Sequence, residues 1–456
     1  MIVMKFGGTA VGTAKRMEQV VELVAGSVEH KPVLVLSAMS GITNELIAGA
    51  EKAFQHDLLG AMREVSLIRS RHLETIAELF ADKPAGQPLV SEMEARLEEL
   101  AILYKGINYL GELTKRSLDA VSGIGELLSS RIVAVLARER GLKSQWLDAR
   151  EFLITDDTFG RANPRWNELT PRVREMISPL ASQGTVPITQ GFIGATAFGA
   201  STTLGRGGSD YSATIIGVAA EAEEIQIWTD VEGMMSADPS VIPDAQVLPE
   251  VSFQEASELA YFGAKVLHPL TIKPAIEKNI PVSIRNAFRP EQAGTVIKDS
   301  VKSDDTIRAI AAKKGITAVF ISSPKMLMSH GFLADVFAVF ARRQIPIDLI
   351  STSEISVALT IDQTDQVEAL TADLAEHGEV RLVGEAAIVS VVGRQFRERS
   401  GIAGQVFAAL SDINIIMISG GASDINLSFV VAESDADRAL KQLHSRFFSR
   451  PQAIQV

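Results

Sequence analysis

Residues 2–9, IVMKFGGT, place a run of apolar and β-branched residues directly before two glycines. Four more apolar runs have this character and are separated by stretches of helical periodicity: VLVLSA (33–38), VPITQGFI (186–193), IQIWTD (225–230) and PVSIRN (281–286). Strands that alternate with amphipathic helices are typical of an α/β fold whose mainly parallel sheet lies between helical layers. We predict such a domain over residues 1–299, with ligands at the carboxyl ends of its strands.

A helical insertion is predicted over about residues 60–140. Apolar residues recur there at spacings of four and three, which is typical of the buried face of a helix. These residues are Met93, Leu97, Leu100, Tyr104 and Ile107.

An internal repeat follows the polar segment KDSVKSDD (298–305), which reads as a linker. GFLADVFAVFARRQIPIDLIS (331–351) and GIAGQVFAALSDINIIMIS (401–419) share a glycine, an amphipathic helix and an apolar strand. A second strand closes each copy, ISVALTI (355–361) and INLSFVV (425–431). The period of about 70 residues predicts two ferredoxin-like βαββαβ units over 300–382 and 383–456, with the alternative that they interleave.

Composition limits the classes of partner. Of the 456 residues, 56 are acidic and 44 are basic, which gives a formal net charge of −12 and argues against nucleic acid as the main partner. The absence of cysteine excludes disulfides, thiolate metal sites and cysteine nucleophiles. MIVMKFGG lacks the apolar core of a signal peptide, and no apolar run approaches the ~18 residues that span a bilayer. We therefore expect a cytoplasmic protein without membrane contacts.

KFGGT (5–9) is a candidate phosphate-binding turn. Backbone N–H groups of Gly7 and Gly8 can approach phosphate oxygens closely, and a helix expected near Thr13 directs its positive end to the same region. Lys5 can then stabilise charge on a transferring phosphoryl group. The alternative is a tight strand-to-helix turn with an incidental lysine. No P-loop is present, and GRGGSD (205–210) is a poor dinucleotide fingerprint.

TTLGRGGSDY (202–211) surrounds a cation and a carboxylate with glycine. Arg206 offers a planar fork for a carboxylate, while Ser209 and Asp210 suit an ammonium or hydroxyl group. This combination favours an amino acid as ligand. The alternative is a glycine-rich surface loop with a local salt bridge.

Two later segments suit a nucleotide. WTDVEGMMSADPS (228–240) places Thr229 and Asp230 at a strand end, where a base or ribose can bind, although it also fits an ordinary turn. FGAKVLHP (262–269) adds Lys265, which can reach a phosphate but is equally compatible with a solvated lysine.

Taken in order, these segments resemble one family. KFGGTA, LSAMSGITN, GELLSSR, TQGFIG, TTLGRGGSDYSA, IWTDVEG and FGAKVLHP look like the successive motifs of the aspartate kinases, which belong to the amino acid kinase superfamily. The C-terminal repeat resembles their paired ACT regulatory domains, and it is most similar to the lysine-sensitive monofunctional type. The resemblance covers nearly the whole chain.

The resemblance implies an activity. Aspartate kinases use ATP and Mg²⁺ to phosphorylate the β-carboxylate of L-aspartate, the first step towards lysine, threonine and methionine. By this resemblance the catalytic residues are Lys5, Arg206 and Asp210. The implied substrate-binding residues are Ser37, Ala38, Thr43, Glu126, Phe192, Arg206, Gly207, Ser209 and Asp210. The implied ATP-binding residues are Lys5, Gly7, Gly8, Thr229, Asp230, Met235 and Lys265; no residue is assigned to the metal.

The resemblance also implies an amino-acid effector, with lysine favoured, and a homodimer or homotetramer assembled through the ACT domains. Asp348 or Glu354 would receive the effector ammonium. The implied effector-binding residues are Met326, Ser329, Phe332, Leu333, Ile347, Asp348, Thr352, Ser353 and Glu354. The alternative is a repeat that only dimerises the enzyme.

Three positions depart from the family pattern. Met235 replaces an aromatic residue, Ser240 replaces an arginine expected at the ATP phosphates, and Pro346 replaces a serine and lacks an N–H for an effector carboxylate. Two other functions stay open: a kinase for acetylglutamate, glutamate or a nucleoside monophosphate, and an amino-acid sensor without catalysis. Lys5, Glu126, Arg206 and Asp210 argue against the sensor.

Overall fold

The structure is a computed structural model that describes residues 1–81, 83–262, 269–301, 306–327 and 329–448. The chain forms two compact units. The N-terminal unit comprises Met1–Met234, Pro249–Phe253 and Val266–Val301, and the C-terminal unit comprises Met235–Leu248, Gln254–Lys265 and Lys302–Val456. The domain ranges expected from the sequence stay predictions.

The N-terminal unit is built on an eight-stranded sheet and a small three-stranded sheet. Its strands are β1 (Ile2–Phe6), β2 (Val33–Leu36), β3 (Ser144–Trp146), β4 (Ile154–Thr155), β5 (Val186–Gln190), β6 (Ile193–Thr196), β7 (Ser201–Thr203), β8 (Glu224–Thr229), β9 (Glu250–Ser252), β10 (Val282–Asn286) and β11 (Thr295–Lys298). The large sheet has the order β3-β5-β2-β1-β8-β10-β11-β9, and all its pairs are parallel except β10 with β11. The small sheet has the order β4-β6-β7.

Helices follow most of these strands. They are α1 (Ala14–Ala25), α2 (Ile42–Phe54), α3 (Leu58–Phe80), α4 (Gly86–Leu110), α5 (Lys115–Ser122), α6 (Ile124–Glu139), α7 (Ala149–Phe152), α8 (Trp166–Met176), α9 (Ser178–Ser182), α10 (Gly208–Ala219), α11 (Phe253–Phe262) and α12 (Pro269–Glu277). The helix expected near Thr13 is α1, and the Thr13 side chain caps it by accepting from the Arg16 N–H.

The predicted helical stripe lies on α4, and all five of its residues are buried. They belong to one apolar core that also contains strand residues of β1 and β2, such as Phe6 and Leu36. By length and composition the stretch Lys115–Glu139 is apolar enough to cross a membrane, but 83% of the window is buried inside the protein. It consists of α5 and α6 and behaves as core structure.

The C-terminal unit contains a six-stranded antiparallel sheet. Its strands are β12 (Ile307–Ser322), β13 (Ile350–Thr352), β14 (Ser356–Asp362), β15 (Glu379–Gly393), β16 (Ile415–Gly420) and β17 (Asn426–Ala432), in the order β13-β14-β12-β15-β17-β16. The helices after β12 are α13 (Phe332–Arg343), α14 (Val367–Ala375), α15 (Ile402–Ala409) and α16 (Ala436–Phe448).

Two βαββαβ modules share this sheet through their long strands. The second half of β12, from Ile316, pairs with β14, and the first half pairs with the end of β15. Each module has its own apolar core, one around Phe340 and Leu359 and one around Val406 and Phe429. The predicted order, a mainly parallel α/β domain followed by two βαββαβ units, agrees with this architecture.

Candidate active site

A cavity of about 350 Å³ opens at the carboxyl ends of β1, β2 and β5 in the N-terminal unit. The lining residues are Lys5, Gly8, Ser37, Ala38, Met39, Ser40, Gly41, Thr43, Asn44, Glu126, Phe192, Gly205, Gly207, Gly208, Ser209 and Asp210. Most of the residues predicted for aspartate therefore lie together, because parallel strands bring their carboxyl ends to one edge. Their individual roles stay predictions.

A lysine and an aspartate face each other in this cavity. Lys5 Nζ lies 2.6 Å from Asp210 Oδ1, and their side chains are only 10% and 15% exposed. An ion pair at this distance with so little solvent exposure interacts more strongly than an ion pair on the protein surface. Lys5 is held in the middle of the sheet, between β2 and β8. The Lys5 cation therefore lies inside the cavity, next to an acid of α10.

The first turns of α2, α6 and α10 line the cavity through Thr43, Glu126 and Ser209. Helix N-termini present unpaired N–H groups and a partial positive charge, so they favour anions. Gly207, with φ of 70°, stands immediately before α10 in a left-handed conformation that a side chain would strain. The backbone thus supplies positive potential without further cations.

Glu126 is the most deeply buried acid of the site, with 3% of its surface exposed. Burial raises the pKa of its carboxyl to about 8, although hydrogen bonds from the backbone of Ala38 and from its own N–H oppose this shift. The group therefore carries a proton at neutral pH when the cavity holds no ligand.

The loops around the cavity approach each other closely. A Cβ on Gly8 would lie 2.8 Å from the carbonyl oxygen of Ala38, and the Ser40 N–H donates to the Gly8 oxygen over 3.1 Å. Only glycine allows this contact at position 8. On the other side, Ser129 donates to the Ser37 oxygen over 2.7 Å and holds that loop on α6.

Residues predicted for ATP occupy the neighbouring part of the sheet edge. The Gly7 N–H donates to the Trp228 oxygen over 3.1 Å, so Gly7 lies beside the end of β8, where Thr229 is the last strand residue and Asp230 follows it. Asp230 is exposed and accepts from Thr229 Oγ1 over 3.2 Å. Met235 belongs to the C-terminal unit, and Lys265 lies outside the described residues.

Arg206 does not line the cavity. Its side chain is exposed, whereas its neighbours Gly205 and Gly207 are lining residues. Its assignment to the aspartate carboxylates stays a prediction.

Asp119 is a positioning residue that the sequence motifs did not reveal. This buried carboxylate accepts from the Gly160 N–H over 2.9 Å, the Thr203 N–H over 3.0 Å and Thr203 Oγ1 over 2.8 Å. It fixes the strand that leads into Gly205 and the cavity. Burial raises the pKa of Asp119, while these three hydrogen bonds lower it. The only sequence signal is an acid among the apolar residues of α5.

The predicted effector residues lie around α13 and β13 in the C-terminal unit. Met326, Phe332, Leu333 and Ile347 belong to or pack against the apolar core of the first module. Ser329, Thr352, Ser353 and Glu354 are exposed. Asp348 is buried and already paired, since Lys313 Nζ lies 2.9 Å from its Oδ1. The expectation that this carboxylate is freely available to an ammonium therefore needs revision.

Comparison with known proteins defines the class. A model of the amino acid kinase family matches residues 1–286, and an ACT domain model matches residues 319–372 and 389–447. The parallel sheet, the glycine-rich cavity and the shared antiparallel sheet agree with this assignment. The chain is thus a member of the amino acid kinase family with ACT domains.

Relatives narrow the class to one family. Aspartokinase 1, chloroplastic, of Arabidopsis thaliana is 38% identical over 98% of this chain and 80% of its own length. Two crystal structures of E. coli aspartokinase III, one with aspartate and ADP (R-state) and one with lysine and aspartate (T-state), are 35% identical, with TM-scores of 0.85 and 0.82, and cover 98% of this chain and 100% of theirs. The chain belongs to the aspartokinases, which confirms the resemblance inferred from the motifs.

Proposed function

We propose that the protein transfers the γ-phosphoryl group of ATP to the β-carboxylate of L-aspartate and so forms 4-phospho-L-aspartate. The observation that carries this proposal is the Lys5–Asp210 pair beside Glu126, in a cavity that the first turns of α2, α6 and α10 line. Membership of the aspartokinases and the E. coli complex with aspartate and ADP support the same reaction.

The residue types suit this chemistry. The attacking carboxylate is ionised at neutral pH, so the enzyme needs no general base. Its task is to bring two anions together and to neutralise their repulsion. Lys5 and the N–H groups at the starts of α2 and α10 supply positive charge at the cavity.

Mg²⁺ fits this arrangement as a companion of the nucleotide. Mg²⁺ is usually held by substrate phosphates with one or two carboxylates rather than by a protein cage. Among the described residues no group of three or more His, Cys, Asp or Glu side chains forms such a cage. When bound with ATP, Mg²⁺ would neutralise phosphate charge, and the exposed Asp230 at the end of β8 is a carboxylate that could hold it.

Recognition of aspartate divides between two kinds of contact. In this proposal the carboxyls of Glu126 and Asp210 receive its ammonium group, and the N–H groups around Ser209 receive its carboxylates; that all three residues line one cavity supports these roles. In the free protein Lys5 neutralises Asp210. Because both ligands change the charge around this pair, Lys5 can turn towards phosphate while the aspartate ammonium takes its place on Asp210.

The test is a kinase assay with the full-length protein. ADP release with Mg²⁺, ATP and L-aspartate should coincide with an acyl phosphate that hydroxylamine traps. Parallel reactions with glutamate, acetylglutamate and nucleoside monophosphates should give no trapped product or phosphorylated nucleotide. ADP release only with one of those acceptors, or with none, would overturn the proposal.

We further propose that lysine inhibits the enzyme through the ACT modules, that the enzyme is a homo-oligomer, and that it works in the cytoplasm. The complex of E. coli aspartokinase III with lysine supports the effector assignment. An effector that binds an inactive state better shifts the population towards it. Inhibition by L-lysine but not by L-threonine, sedimentation as a dimer or tetramer at micromolar concentration, and cell fractionation test these three points.

A further inference from the structure

Asp348 lies in a cluster of charged and aromatic side chains within the C-terminal unit. Its side chain is 2% exposed, and its Oδ1 accepts both from Lys313 Nζ at 2.9 Å and from the Tyr261 hydroxyl at 2.5 Å. Tyr261 comes from α11, whose Glu255 is likewise bound to Arg394 through Oε1 at 2.8 Å and Oε2 at 3.1 Å. The Asp348 carboxylate is therefore held by two donors from different elements, Lys313 of β12 and Tyr261 of α11.

The second oxygen of the Asp348 carboxylate accepts no hydrogen bond from the described residues. Asp348 Oδ2 is buried and has no hydrogen-bond partner among the residues that the structure describes. A buried carboxylate oxygen without a donor is unfavourable, so such an atom indicates a place for an incoming donor. An ammonium group can donate a charge-assisted hydrogen bond to this oxygen, and such bonds are stronger than those between neutral groups.

Lys313 has a second carboxylate within reach. Its Nζ lies 2.8 Å from Asp362 Oδ1, and the Asp362 side chain is 54% exposed at the end of β14. Burial lowers the pKa of Lys313, but the hydrogen bonds to Asp362 and Asp348 outweigh it and raise the pKa overall. Lys313 therefore stays an ammonium group, and it can leave Asp348 without losing its last partner.

The two carboxylates are placed by one piece of backbone. The Asp348 N–H donates to the Thr360 oxygen over 2.9 Å, and the Leu349 N–H donates to Thr360 Oγ1 over 2.9 Å. Thr360 lies two residues before Asp362 on β14. These backbone contacts hold Asp348 beside β14, so Lys313 reaches both acids at once and a small movement of its side chain would leave it on Asp362 alone.

We propose that Lys313 is a resident competitor for the effector site: its ammonium group bridges Asp348 and Asp362 in the effector-free protein and withdraws to Asp362 alone when the ammonium group of an amino-acid effector binds Asp348. This inference rests on the proposed regulation by lysine and adds to it the residues that set effector affinity. Asp362 acts as the acceptor that makes the shift possible, although it does not touch the effector.

The proposal predicts changes of opposite sign from two substitutions. Lys313→Met removes the competitor and leaves Asp348 uncompensated, so the dissociation constant of L-lysine should fall about fivefold. Asp362→Asn removes the alternative partner, so Lys313 holds Asp348 more firmly and the dissociation constant should rise about threefold to fivefold. General damage to the module would weaken binding in both variants.

The experiment is isothermal titration of the full-length protein and its variants with L-lysine. The neighbouring ion pair of Lys314 with Asp437, at 2.8 Å, supplies matched controls: Lys314→Met and Asp437→Asn should leave the dissociation constant unchanged. Thermal melting of each variant checks that the fold is retained.

The outcomes separate the inference from the function on which it rests. Tighter binding by Lys313→Met and weaker binding by Asp362→Asn supports the competitor. L-lysine binding that Asp348→Asn abolishes, but that Lys313→Met weakens or leaves unchanged, overturns the competitor and keeps the effector site. No binding of L-lysine by the unchanged protein, with kinase activity intact, overturns both the lysine assignment and the competitor.

Discussion

Glu126 couples aspartate binding to the release of a proton. Its carboxyl, with a pKa of about 8, is protonated in the ligand-free cavity at neutral pH. An aspartate ammonium group needs a carboxylate opposite it, so binding requires this proton to leave. The apparent affinity for aspartate should therefore increase as the pH rises through the working range of the enzyme.

The size of the effect follows from the pKa. If only the ionised form binds, the apparent dissociation constant is raised about twofold at pH 8, about tenfold at pH 7 and about a hundredfold at pH 6. At pH 7 the protonated fraction is about nine tenths, so each bound aspartate should release about 0.9 proton. The ammonium and carboxylate groups of aspartate itself do not titrate between pH 6 and 8.

Isothermal titration in phosphate and in Tris at pH 7 measures this proton, because the two buffers have different enthalpies of ionisation. Glu126→Gln should abolish both the release and the pH dependence of aspartate binding. The matched control is Glu139→Gln, an exposed acid at the other end of α6, which should behave like the unchanged protein. Equal heats in the two buffers, or one affinity from pH 6 to 8, would refute the role given to Glu126.

Three further predictions concern the cavity and the core. Lys5→Ala should lower kcat about a hundredfold or more, because the transition state loses a stabilising positive charge. Arg206→Ala should mainly raise the KM for aspartate. Steady-state kinetics with normal parameters in either variant would contradict the role assigned to that residue. Asp119→Asn should cost about 2 kcal/mol of unfolding free energy and raise the KM for aspartate, because an amide cannot accept all three hydrogen bonds; urea unfolding and kinetics test both effects. Burial lowers the pKa of His72 to about 4, so the unfolded chain binds a proton near pH 6.5 that the native protein does not bind. The His72 contribution to the unfolding free energy should therefore fall by about 2 kcal/mol from pH 8 to pH 5, while the raised pKa of Glu126 acts in the opposite direction. The difference between the unchanged protein and His72→Met in urea titrations at the two pH values isolates the His72 contribution.

Most of the residues that the sequence assigned to aspartate lie around one cavity, because they are close to the ends of strands. Lys5 lies one residue before the end of β1, and Ser37 and Phe192 follow β2 and β5. Parallel topology brings such positions together irrespective of their distance along the chain. Sequence reasoning missed Asp119 because its partners, Gly160 and Thr203, lie 41 and 84 residues away along the chain. Only the folded chain shows that a carboxylate in α5 holds the approach to Gly205.

Sequence reasoning missed Lys313 for a different physical reason. The repeat aligns helix with helix and strand with strand, and this alignment starts at residue 331, after Lys313. In the structure β12 crosses from one module to the other, and its pairing with β15 shifts register between Lys313 and Ile316. Gly315, with φ of 73°, lies within this irregularity, and its N–H donates to Glu433 over 2.9 Å.

Because of this position, Lys313 contacts both modules. Lys313 pairs through its backbone with Ile388 in the core strand of the second module, while its side chain binds Asp348 and Asp362 in the first. A change in the partners of Lys313 therefore acts on a strand that both modules share, and for this reason we place the control of effector affinity on β12 rather than on the loops around Ser353.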